Sequence, residues 1–163
     1  MNDHESSIVH VSQYEEKSQQ HILTIGANFE MRMWNYETGE DSKDHKLKIE
    51  NTSKLKSVVC AYTYYQKLFL ATNKSILIYS LETNEVLSEF KPYNGEQVIE
   101  MHAYKTADKE YLIITTRTAC LAYNLILDGT NSRVEKICGY HLNAKHNTTS
   151  KYKSNFRFYF TSC

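Results

Sequence analysis

Short apolar runs separated by polar breaks recur along the whole chain, and none of them extends into an i, i+3, i+4, i+7 stripe. Each strong run comes as half of a pair. Leu23–Ile25, Leu68–Ala71 and Leu112–Ile114 lead into polar turns at Ala27–Glu30, Asn73–Ser75 and Arg117–Thr118, after which an apolar stretch of about five residues resumes. In the first copy Met31, Met33 and Tyr36 alternate with Arg32 and Asn35, which predicts a strand with one wetter face. A second turn follows at Glu37-Thr38-Gly39 and again at Glu82-Thr83-Asn84, with Gly or Asn where a left-handed φ is needed. Further strands are predicted after it, at Leu47–Ile49, Val86–Phe90 and Val134–Cys138. Others are predicted ahead of each pair, at Ile8–Val11, Val58–Tyr62 and Val98–Tyr104. Four antiparallel strands per unit make this an all-β chain.

The units repeat. LTIGANFEMRMWNYETGE, LFLATNKSILIYSLETNE and LIITTRTACLAYNLILDG superpose, and Trp34, Tyr79 and Tyr123 fall at one position, 45 and 44 residues apart. Asn28, Asn73 and Arg117 occupy the corresponding turn position. The units span approximately 6–50, 55–93 and 96–140. Residues 141–163 form a polar loop followed by Phe156-Arg157-Phe158-Tyr159-Phe160, the start of a fourth unit or a truncated tail.

These residues resemble the WD-repeat family of β-propellers, whose blades are four-stranded antiparallel sheets. Asn28-Phe29-Glu30-Met31-Arg32-Met33-Trp34-Asn35 is similar to that family's signature, in which a turn Asp precedes a strand ending in Trp-Asp. The resemblance implies an incomplete β-propeller of three blades plus a first strand of a fourth. Strands nearest the axis should then read as unbroken apolar runs such as Leu112-Ile113-Ile114, and Trp34, Tyr79 and Tyr123 should pack between blades. No Gly-His pair precedes any copy, and the turn Asp is replaced by Asn28, Asn73 and Arg117, so the hydrogen-bond chain that ties many WD blades together is expected to be incomplete. Propellers close with at least four blades, so three should leave two apolar sheet faces open for further chain or a partner protein to cover.

The resemblance also implies a non-enzymatic protein-interaction scaffold in a multiprotein complex, with no cofactor or metal. Loops on a rigid scaffold carry such contacts, which selects Phe29, Lys74 and Thr118 in the turns and Lys91, Tyr93 and Glu96 in the links. Two alternatives stand beside it. One is a piece of an enzyme-bearing, quinoprotein-like propeller. The other is single-stranded nucleic-acid binding through a C-terminus that interleaves Lys145, Lys151, Lys153 and Arg157 with aromatics, although aromatics in a strand-like run belong more naturally in a core.

Composition adds limits. Thirteen Tyr beside one Trp, with one Pro, favour strands. Cys60, Cys120, Cys138 and Cys163 are scattered without C-x-x-C, so neither a zinc framework nor a disulfide scaffold is signalled. No nucleotide-binding, esterase or metalloprotease motif occurs. No apolar stretch is long enough for a membrane span and the N-terminus lacks signal-peptide character, so a cytoplasmic protein is expected. Lys and Arg balance Asp and Glu at 19 each, yet residues 1–50 hold ten acids against five bases and residues 111–163 two against seven. Charge therefore runs from acidic to basic along the chain, while the neutral total argues against general attraction to nucleic acid.

Overall fold

In the computed structural model, which describes residues 4–16, 18–49, 55–92, 95–128 and 131–141, twelve strands form three separate four-stranded antiparallel sheets. The first sheet holds β1 (Ile8–Glu16), β2 (Gln19–Gly26), β3 (Glu30–Asn35) and β4 (Asp41–Lys46). The second holds β5 (Val58–Tyr64), β6 (Lys67–Thr72), β7 (Ile76–Ser80) and β8 (Glu85–Phe90). The third holds β9 (Val98–Lys105), β10 (Glu110–Thr116), β11 (Ala119–Asp128) and β12 (Asn131–His141). Each is a meander in chain order, and the sheets do not close into a ring among the described residues. Tyr93 and residues 142–163, with the Phe156–Phe160 run, lie outside the described residues.

Two apolar cores lie between the sheets. Leu23, Ile25, Met31 and Met33 meet Leu68, Leu70, Leu77 and Tyr79 between the first and second; Phe69, Ala71, Ile76 and Ile78 meet Leu112, Ile114, Leu121 and Tyr123 between the second and third. The middle sheet is thus covered on both faces, which is why β6 and β7 read as unbroken apolar runs. The first strands β1, β5 and β9 lie against one another, yet each mixes buried positions with partly or fully exposed ones. The expectation that the strands nearest the axis carry the continuous runs is therefore corrected: those runs belong to the middle strands.

Every sheet carries a bulge at the same place, between Met33 and Trp34, Ile78 and Tyr79, and Ala122 and Tyr123, so those three aromatics occupy equivalent positions. The preceding hairpin differs. Five residues separate the paired Ile25 and Met31, whereas four separate Ala71 from Ile76 and Thr115 from Cys120. The extra residue shifts β2 by one, so Leu23 matches Phe69 and Ile113 rather than Leu68 and Leu112. Phe29 takes up the insertion at φ 67°, with its ring buried in the first core.

Two local expectations fail for physical reasons. The outer strand of the first sheet is the polar Asp41–Lys46, not Leu47–Ile49, because backbone pairing with β3 needs no apolar side chain. Arg32 is not on a wetter face but 5% exposed, held by ion pairs to Glu30 (2.7 Å) and Asp41 (3.3 Å). Gly39 (φ 67°) and Asn84 (φ 58°) do adopt the left-handed turn conformation. A Cβ on Gly39 would meet nothing within 4 Å, so Gly39→Ala is expected to lose about 1 kcal/mol from backbone strain alone, measurable by urea unfolding.

Candidate interaction face

In a meander, alternate turns share an end. The β2–β3, β6–β7 and β10–β11 turns therefore stand together with the segments that precede β1, β5 and β9, and this end is called the turn face below. In each sheet a side chain ties the turn to that segment. In the first, Ser6 Oγ donates to Asn28 Oδ1 (2.8 Å) and accepts the Asn28 N–H (3.2 Å). Gly26 makes room, since a Cβ there would lie 2.7 Å from Ser6 Oγ and 2.8 Å from Asn28 Oδ1. In the second, Asn73 Oδ1 accepts the Lys56 N–H (3.3 Å). In the third, Glu96 accepts from the hydroxyls of Thr116 (2.6 Å) and Thr118. Thr72 also closes its own turn, accepting the Ser75 N–H and donating to the Ser75 carbonyl, and Thr116, its proton given to Glu96, accepts the Ala119 N–H.

A second network fixes the first sheet. Trp34 Nε1–H donates to Thr24 Oγ1 (2.9 Å), the Thr24 hydroxyl shares a hydrogen bond with His4 Nε2 (2.7 Å), and His4 Nδ1 lies 3.2 Å from Glu30 Oε2. The hydrogen-bond chain thus runs from Trp34 through Thr24 to His4 and stops there, because the buried His4 Nδ1 makes no hydrogen bond among the described residues, in line with the expected incomplete chain. His4 stands without a Gly before it, and the Glu30 carboxylate lies at ion-pair distance from it. Burial alone would raise the Glu30 pKa, but hydrogen bonds from Arg32 and the Glu5 N–H, with the charges of His4 and Arg32, hold it below the ordinary value. Arg32 also lies 5.9 Å over the Trp34 ring. The outward face of the first sheet is therefore partly polar rather than wholly apolar.

The predicted contact residues separate. Phe29 is 4% exposed and belongs to the core, so it offers no surface. Thr118 and Glu96 are brought together as the third tie. Lys74 and Lys91 are both exposed, and the register that pairs Ile76 with Phe90 sets Lys91 beside the β6–β7 turn. Of the repeat positions, Tyr79 and Tyr123 pack between sheets, Trp34 points away from the first core, and Arg117 is exposed. Sequence reasoning missed Lys48 and Lys56, which are exposed at the same end. A count of Lys in alternate breaks between strands would have found them.

Elsewhere, burial pushes the Cys60 and Cys120 thiols up, away from the reactive thiolate. Burial chiefly, with Glu110 nearby, pushes the Tyr64 hydroxyl up to about 12. Among the described residues no three His, Cys, Asp or Glu side chains cluster as metal ligands, and no helix is long and apolar enough to cross a membrane.

No protein-family model and no curated protein matches the sequence. Solved structures do match in shape. The WD40 repeats of RRP9 align with a TM-score of 0.58 at 19% identity over 83% of this chain and 40% of theirs. The WD40 domain of SCAP from fission yeast aligns with a TM-score of 0.59 at 9% identity over 86% and 33%. The C-terminal WD40 domain of Sif2 aligns with a TM-score of 0.57 at 14% identity over 90% and 39%. This chain thus spans about two fifths of such domains or less. At these identities the likeness is one of fold, and it agrees with the repeat, the equivalent bulges and the four-stranded meanders: the chain has the divergent WD-repeat propeller fold, as three consecutive blades.

Proposed function

We propose that the chain is a protein-interaction module that helps to assemble a multiprotein complex, and that it binds its partner through the turn face. The observation that carries this reading is the tie in each blade between the β2–β3-type turn and the segment before the blade, through Asn28, Asn73 and Glu96. Turns held in this way present side chains at fixed spacing, so little conformational entropy is lost when a partner docks. The WD40 neighbours support an interaction scaffold in general. A photo-crosslinking residue at Asn73 or Thr118 should capture a partner protein in cells, and the same probe at Thr38, on the opposite end, should not. Equal labelling from the two ends would remove the turn face from consideration.

A further inference from the structure

Charge is sorted between the two ends of the strands. On the turn face Lys48, Lys56, Lys74, Lys91 and Arg117 are exposed, and among the described residues none of them pairs with a carboxylate. The acids there are Glu5 and Glu89, both exposed, with Glu30 and Glu96. Glu30 is buried against Arg32, and Glu96 is occupied by two threonine hydroxyls. The opposite end exposes Glu15, Glu37, Glu40, Asp41, Glu82 and Glu85 in the first two blades. The third blade exposes Lys105, Lys109 and Arg133 beside Asp108 at that end, so the acidic opposite end belongs to the first two blades of a chain that is neutral in total.

From this geometry we infer that the turn face takes an acidic segment of a partner protein. The inference rests on the proposed role as a protein-interaction module and names the partner's chemistry. Five cations, two in the tied turns and three in the segments beside them, suit several carboxylates along an extended peptide, and the acidic opposite end of the first two blades repels the same peptide, which sets the docking side. Nucleic acid is the poorer fit. Two of the aromatic rings at this end are taken up in the fold, Phe29 in the first core and Phe90 against Tyr123, and four of its five cations are lysines.

The test uses the full 163-residue chain and fluorescence anisotropy with a labelled peptide of alternating Glu and Ser, its Lys and Ser counterpart, and a single-stranded RNA of equal charge. The acidic peptide should bind, and weaken about tenfold between roughly 50 and 200 mM salt. The triple reversal Lys74→Glu, Lys91→Glu, Arg117→Glu should weaken it at least about tenfold, while Glu37→Lys with Glu82→Lys leaves it within about twofold. Circular dichroism confirms that each variant is folded, and the single reversal Lys74→Glu, with an intermediate loss, serves if the triple variant does not fold. RNA binding tighter than the acidic peptide, equal binding of the basic peptide, or no effect of reversal would each overturn the inference. If crosslinking from Asn73 still captures a protein while the acidic peptide fails to bind, the partner chemistry is wrong and the interaction module stands.

Discussion

Glu30→Ala is expected to destabilise the chain by about 3–5 kcal/mol, because it removes the shortest ion pair of a buried guanidinium. Glu30 accepts from Arg32 at 2.7 Å and from the Glu5 N–H at 3.1 Å, and it faces His4 at 3.2 Å, all with the carboxylate about 5% exposed. The Asp41 pair that remains is weaker, longer at 3.3 Å and with the carboxylate 26% exposed. Glu30→Gln should cost less, since the amide oxygen still accepts a hydrogen bond. The two variants also separate charge from shape through pH. The folded Glu30 pKa lies below its ordinary 4.5, so the ionised form stabilises the fold fully above that value, and the contribution is lost as pH falls through the lowered folded pKa. Urea unfolding should therefore show an acid-side loss that Glu30→Gln lacks. Parallel pH profiles for the two proteins would show that Glu30 is not the linked group.

The repeat, the four-strand unit and the left-handed turns at Gly39 and Asn84 were legible because each depends on local chemistry, either the alternation of apolar runs or the φ that a turn demands. What escaped reading depends on partners distant in the chain. Asp41–Lys46 has no apolar signal at all, and it forms a strand only because β3 offers a row of backbone partners. Arg32 looks exposed by type and is buried because Glu30 and Asp41 neutralise it. His4 stands twenty residues before Thr24, with nothing between them to announce the bond.

The charged faces were hidden in a different way. Summed along the chain, the acids and bases give a gradient from one terminus to the other. In a meander, however, consecutive breaks between strands fall at opposite ends, so Lys56 and Lys74 gather at one end while Glu37 and Glu82 gather at the other. A running sum averages over that alternation. Reading alternate breaks as separate sets restores it, and it brings together Lys74, Lys91 and Glu96 from the predicted contacts while leaving Phe29 in the core.

Tyr79→Ala is expected to cost about 3–5 kcal/mol, and Trp34→Ala clearly less, although the two side chains hold the same place in the repeat. Tyr79 has no exposed surface; it packs among Leu68, Leu77, Leu23 and Met33 in the core between the first two blades. Truncating it opens a void that rigid sheets on both sides cannot collapse to fill. Trp34 instead points away from that core and is partly exposed, so its removal chiefly releases Thr24 and the stacked Arg32. Tyr79→Phe isolates the hydroxyl, which accepts the Lys48 N–H at 3.3 Å, and should cost about 1 kcal/mol. Tyr79→Trp would restore the family residue in a cavity shaped for a smaller ring and should cost about 1–3 kcal/mol. Equal losses from Tyr79→Ala and Trp34→Ala in urea unfolding would mean that the repeat position, rather than the blade on either side of it, sets the energy. The packing predicts the opposite, because only Tyr79 has a neighbouring sheet against each side of its own.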